Sequence, residues 1–333
     1  MSLELRLTML KVQSPRGLPS VLLLACALAA ATAHAQSYPT RTVRILVPAS
    51  PGGGSDLQAR LLAKRFADSM GQNFVVDNRP GASGVIGAEL VARAPADGYT
   101  LMVATAQIPV NLLLLKKAPF DMVRDLAPVS QLSFAPQFLM VHPSVPAKSL
   151  PELVALAKKS PGKLNAGSGG NGSANHLAIE MLKLAANISV THVPYRSGGP
   201  SIAALVSGET DFSFSGAVTA LPQIRSGKVR ALAVTSTKRT SVMPDLPTIA
   251  SFYPGYDSAN WYAMFVPAAT PAAIISKLHT ETVTALKTPE IRDFMVGEGA
   301  DVVGGTPAEL GAYLKREIER YSGIIKSARI KGD

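Results

Sequence analysis

Two glycine-rich turns concentrate the groups that could act on a small molecule. The first runs Val47-Pro48-Ala49-Ser50-Pro51-Gly52-Gly53-Gly54-Ser55-Asp56. It joins an apolar run to a helical pattern. A turn entering a helix leaves backbone N–H groups pointing outward at the positive end of the helix dipole. A small carboxylate or phosphate suits such a place. The same composition also serves a turn that merely lets strand and helix pack. Asp56 would repel an anion unless its side chain turns back to cap the backbone, which leaves the glycine N–H groups as donors.

The second turn is Gly167-Ser168-Gly169-Gly170-Asn171-Gly172-Ser173. Gly167, Gly169 and Gly172 spell G-x-G-x-x-G, a weak signal alone. No acidic residue stands about twenty positions on, near His192, where a ribose partner belongs. The turn reads better as a second helix start, supplemented by the hydroxyls of Ser168 and Ser173. His176, one turn into that helix, either bonds its own loop or touches the ligand.

Catalytic and metal signatures do not follow. His142, His176, His192 and His279 form no H-x-x-x-H or H-E-x-x-H pattern, so no metal site is expected. There is no G-x-S-x-G elbow and no P-loop. Carboxylate pairs for acid–base work are not distinguishable by spacing. The pattern points to binding without chemistry and without a cofactor. The rival is an exported enzyme using His176 or Asp56 as base.

Composition limits the partners. The chain has 333 residues, a net charge of +10 and only 6% aromatic residues. The basic residues are scattered and stacking platforms are few, which excludes nucleic acid as the expected partner. A mild positive field suits anionic ligands. Residues 1–35 read as a signal peptide: Arg6, Lys11 and Arg16 precede an apolar stretch at 18–31, and Ala33-His34-Ala35 is a cleavage signal. Cleavage after Ala35 sends the protein to the periplasm, and an uncleaved anchor is the alternative. Leu23-Leu24-Ala25-Cys26 loosely resembles a lipoprotein site, at the cost of a very short apolar core. Cys26 is the single cysteine, so the mature chain would have none.

The elements that must position the two turns alternate strand and helix. Strands are expected at 42–48, 74–76 and 99–104, with helices from about 56 and over 85–94, which suggests a parallel sheet. Ser55-x-x-Gln58 matches a capping box. Two apolar stretches, separated by Pro128 and Pro136, fill 126–141. Further strands are expected at 163–166, 188–194, 211–215, 229–235 and 261–266. Helices are expected after Ser149, over 176–186, from Ser197 to Gly208 and through the tail, with Thr306-x-x-Glu309 marking a start.

Several of these stretches together resemble the Bug-type family of periplasmic solute-binding proteins of tripartite tricarboxylate transporters. They are Val47-Pro48 through Pro51-Gly52-Gly53 with Asp56; Asp77-Asn78-Arg79-Pro80-Gly81-Ala82-Ser83-Gly84 through Asp97-Gly98-Tyr99-Thr100; Asn165-Ala166-Gly167-Ser168 through His176-Leu177; and His192-Val193-Pro194-Tyr195-Arg196. Leu232-Ala233-Val234-Thr235 and Pro244-Asp245-Leu246-Pro247-Thr248 add to the likeness. The resemblance implies an α/β, two-lobed Venus-flytrap fold of type II with two interdomain crossings. Residues 36–137 and 260–333 would form one lobe and 138–259 the other. It implies a monomer that carries a small carboxylate to membrane permease subunits; a ligand sensor is the alternative use of the same fold. It implies ligand contacts from Pro51, Gly52, Gly53, Asp56, Thr105, Ala106, Ser168, Gly170, Ser173, His176 and Ser215. Relatives often carry aspartate where this chain has Ser215, which suggests an acid without an amino group.

Overall fold

The computed structural model describes residues 38–330. The expected signal peptide, its cleavage site and Cys26 lie outside them. Strand β1, Val43–Val47, is almost wholly buried and leads through the first glycine turn into helix α1, Gly54–Met70. Gly53 precedes α1 in an extended conformation without a side-chain cap, so the expected Ser55–Gln58 capping box does not form. The helix starts one residue before Ser55, which places Ser55 inside the first turn. Leu62 and Phe66 bury the inner face of α1.

Strands β2, Phe74–Asn78, and β3, Thr100–Thr105, both pair parallel with β1. Helix α2, Val85–Ala92, makes the crossover and packs closely on the end of β1. A Cβ at Gly87 would lie 2.6 Å from the Arg79 carbonyl oxygen and 3.0 Å from Pro48 Cα. Two helices then follow, α3, Gln107–Leu114, and α4, Met122–Asp125. Asp121 caps α4 by accepting from Val123 and Arg124 N–H at 2.8 and 2.9 Å.

Strand β4 is continuous over Leu126–Val141, 16 residues. Pro128 and Pro136 do not divide it: Pro128 lies at a register shift against β9, and Pro136 is the last residue paired with β9 before the strand changes partner. Its first part, up to Pro136, pairs antiparallel with β9, Ala259–Pro267. From Gln137 on it pairs with β7, Phe212–Gly216, and from Phe138 with β8, Arg230–Val234. One strand therefore serves two groups of strands. β9 also pairs antiparallel with β3, completing the first group, to which the short β10, Asp301–Val302, adds an edge.

The second group is completed by β5, Asn165–Ser168, parallel to both β7 and β6, Thr191–Pro194. Its helices are α5, Leu150–Lys159; α6, Ala174–Ala186; α7, Gly198–Ser207; and α8, Ala217–Arg225. Ser149 caps α5 as expected. The tail folds into α9, Ala272–Leu286; α10, Pro289–Gly297; and α11, Pro307–Ala328. Thr306 and Glu309 form a reciprocal capping box at the start of α11. Trp261, Phe265 and Leu139 share a continuous core with Leu314 and Tyr321 of α11, so the last helix seals the junction of the two strand groups.

Candidate functional site

A cavity of about 190 Å³ opens where β4 changes partners. Its walls come from both strand groups: Gln58 of α1, Gln137 of β4 and Tyr262 of β9 on one side, Ser215 and the first turn of α8 on the other. Asn175, Asn260 and Glu298 complete its polar lining. No lysine, arginine or histidine lines it.

Hydrogen bonds fix what each polar group offers. Ser133 Oγ, fully buried, donates to Gln58 Oε1 at 3.1 Å, which leaves the Gln58 amide N–H groups to the cavity. Gln137 Nε2 donates to the Ala174 carbonyl at 3.2 Å, so its Oε1 is an available acceptor. Asn260 Nδ2 donates to Tyr262 Oη at 3.1 Å and frees the phenolic proton for a ligand. Burial pushes the Tyr262 phenol up to about 12, with Glu298 adding to the shift, so it stays a donor at neutral pH. Gly216 precedes α8 in extended conformation without a side-chain cap, leaving first-turn N–H groups of that helix facing the same space. Ser215 and Thr219 hydroxyls bond each other at 2.5 Å. A carboxylate is suited to the Gln58, Tyr262 and α8 donors.

Of the expected contacts, Ser215 alone lines this cavity. In the first turn, Gly52 N–H donates to Asp56 Oδ2 at 2.9 Å, and Arg60 Nε reaches the same oxygen at 3.0 Å. Asp56 is 2% exposed. Burial opposes its ionisation, but Arg60, Gly52 and Asn78 together hold its carboxyl below the usual range. Asp56 thus closes the turn on itself, and the Gly52 donor expected for a ligand is already taken. Pro51 and Gly53 are exposed beside it. The neighbouring Gly54 lies on the site, since a Cβ there would stand 2.5 Å from Tyr262 Oη.

The second turn is likewise satisfied from within. Gly170 N–H donates to Ser168 Oγ at 3.1 Å, Gly172 N–H to His176 Nδ1 at 3.1 Å, and Gly169 N–H to Asn175 Oδ1 at 3.3 Å. Ser173 caps α6 by accepting from His176 N–H and donates to the Gly170 carbonyl at 2.6 Å. His176 is therefore bonded to its own loop, the plainer of its two readings. Its ring stacks on His192 at 3.9 Å between centroids. Ser168 Oγ lies 2.5 Å from His192 Nε2, a nucleophile–base spacing, but Ser168 is fully buried. Desolvation lowers the His192 imidazole to about 4, helped by His176 and Lys183 and opposed by Glu180. Thr105 pairs with Tyr262, and Ala106 N–H donates to the Trp261 carbonyl at 3.3 Å. Ala106 faces a void of about 10 Å³ next to the cavity, with which it shares Gln137 and Ala174. Among the described residues no three His, Cys, Asp or Glu side chains gather as a metal ion would need.

Gln58, Gln137, Tyr262, Asn260 and Glu298 were not legible as site residues. The one hint was Gln58 in line with Leu62 and Phe66 on the buried face of α1, where a polar side chain needs a partner.

The sequence matches the family described as tripartite tricarboxylate transporter family receptor over residues 58–330. The chain belongs to that family. Receptors of this family are periplasmic solute-binding proteins. BugT of Bordetella pertussis is 34% identical over 305 residues, covering 91% of this chain and 94% of BugT. A solved R. palustris protein with adipate has 35% identity and a TM-score of 0.77, covering 88% of this chain and 99% of that one. MatC from Rhodopseudomonas palustris with bound malate has 31% identity and a TM-score of 0.73, covering 86% and 100%. The fold of this Bug-type receptor is accordingly the two-lobed periplasmic-binding-protein fold.

Proposed function

We propose that this receptor binds a small carboxylate in the cavity around Gln58, Tyr262 and the start of α8, and delivers it to the permease of a tripartite tricarboxylate-type transporter. One observation carries the reading. A polar cavity draws donors from both strand groups at the place where β4 passes from one to the other. An acid held there bridges the two lobes and favours their closure. The likeness to proteins solved with adipate and malate supports an organic acid.

The lobe boundaries we propose draw support from the same strand. Residues 36–137 with 260–333 form one lobe and 138–259 the other, supported by the change of partner after Pro136 and the return at Ala259. Residues 1–35 are removed after Ala35 on export, and the receptor acts as a monomer. Among the described residues no helix is long and apolar enough to cross a membrane.

Thermal unfolding of the mature protein against a panel of organic acids tests the reading. A ligand at a hundred times its Kd adds about 2.7 kcal/mol to folded-state stability, a shift of several degrees. No shift with any acid sinks the proposal.

A further inference from the structure

Glu298 is the one ionised-type side chain on the cavity wall besides the phenol of Tyr262. It is half-buried and makes no side-chain hydrogen bond or ion pair among the described residues. Its position is not casual. The turn that ends α10 is held by three backbone bonds: Glu298 N–H to the Phe294 carbonyl at 3.0 Å, Gly299 to Val296 at 2.9 Å and Ala300 to Met295 at 2.8 Å. Gly299 has φ +65°, and a Cβ there would sit 2.5 Å from Ala217 Cβ, so the turn is pressed on the first residue of α8. A carboxylate is thereby fixed beside the donors that suit a ligand acid, with no basic side chain on the wall to neutralise it. Burial pushes the Glu298 carboxyl up, the cost of leaving it unpaired.

The rest of the lining divides in the same way. Gln58 Nε2, the Tyr262 hydroxyl and the α8 N–H groups donate, whereas Gln137 Oε1, Asn260 Oδ1 and Glu298 accept. A ligand with acceptors alone satisfies one set and leaves the other facing it unpaired. A second carboxylate placed against Glu298 adds like-charge repulsion in a poorly solvated space.

We propose that Glu298 is a specificity-determining residue that requires of the bound acid a hydrogen-bond donor, a hydroxyl or an ammonium group, set apart from its carboxylate. This rests on the reading of the cavity as the ligand site. The Ser215 position argues against an ammonium only for its own wall; Glu298 supplies a counter-charge from another element. The shared chemistry is a donor on an organic acid, and the two kinds of donor differ in what they need from position 298. An ammonium needs the charge, and a hydroxyl needs an acceptor.

The test is calorimetric titration with acids matched in carbon skeleton: succinate, malate and aspartate, then glutarate, 2-hydroxyglutarate and glutamate. Wild-type protein is expected to bind a donor-bearing member about tenfold or more tightly than the plain diacid of its set. Glu298→Met should erase that ratio. Glu298→Gln, which keeps an acceptor but loses the charge, should erase it for the amino acid and retain part of it for the hydroxy acid. Ratios within a set cancel any loss of folded protein, because every ligand meets the same active fraction. Plain diacids bound as tightly as their donor-bearing partners, or variants with wild-type ratios, overturn the role of Glu298 while leaving the receptor reading standing. No binding of any acid removes both.

Discussion

Gly54 offers the most direct perturbation of the site's architecture. Alanine in a helix is favoured over glycine by up to about 1 kcal/mol, and less at a first helical position such as 54. Against this, the added methyl would stand 2.5 Å from Tyr262 Oη and 3.0 Å from its Cζ. Ordinary contact needs about 3.5 Å or more, so ring and helix must part by roughly 1 Å. The ring cannot swing freely, because its hydroxyl accepts from Asn260 Nδ2 at 3.1 Å and its strand is paired with β3 and β4. Overpacking of this kind costs about 1–3 kcal/mol, and the strained hydrogen bond about 1 more. The clash wins, and Gly54→Ala should destabilise the unliganded protein by about 1–4 kcal/mol in urea titration. Tyr262→Phe removes the atom at 2.5 Å, so the alanine should cost at least about 1 kcal/mol less in that background, a coupling read from a double-mutant cycle. An equal cost in both backgrounds, or a stabilised Gly54→Ala protein, would refute the contact.

Three further outcomes follow from contacts elsewhere. His192 titrates at about 4 in the folded protein and near 6.5 when unfolded. Its contribution is complete above about 6.5 and is lost as pH falls toward 4, so acidifying from pH 7 to 5 should remove about 1–2 kcal/mol, a loss that His192→Gln flattens. Asp56→Ala should free Gly52 N–H and leave Arg60 with Asn78 alone, costing about 1–3 kcal/mol at neutral pH in denaturant melts; because the Asp56 carboxyl is depressed, the gap between variant and wild type should narrow only below the usual carboxylate range, near pH 4 and lower. Gly87→Ala meets backbone atoms of Arg79 and Pro48, which have no rotamer to give, and should cost about 2–3 kcal/mol by thermal unfolding.

Elements with strong periodicity were legible from sequence, and most of the polar groups that line the cavity were not. The buried run in β1, the caps at Ser149 and Thr306 and the glycine at 208 each announce their structure through local chemistry. Helix α8 escaped because Pro222 lies inside it, where proline usually argues against a helix. The two glycine turns were read correctly as helix entrances, and Asp56 turns back on the backbone and His176 bonds its own loop as the sequence allowed, but spacing could not show that Gly52, Gly170 and Gly172 would spend their N–H groups on Asp56, Ser168 and His176. Side-chain reach into a neighbouring loop is a three-dimensional fact. Glu298 shows the same limit from the other side, since only the docking of Gly299 on Ala217 carries it to the cavity.

Because β4 contributes hydrogen-bonding edges to both lobes, neither lobe owns a complete sheet. A polypeptide severed after Gln137 would leave each portion with raw strand edges and an uncovered apolar face. The protein should consequently melt as one cooperative body rather than in two steps, and hinge bending has to twist the unbroken ribbon of β4, while the return to β9 runs through the largely irregular stretch 235–258.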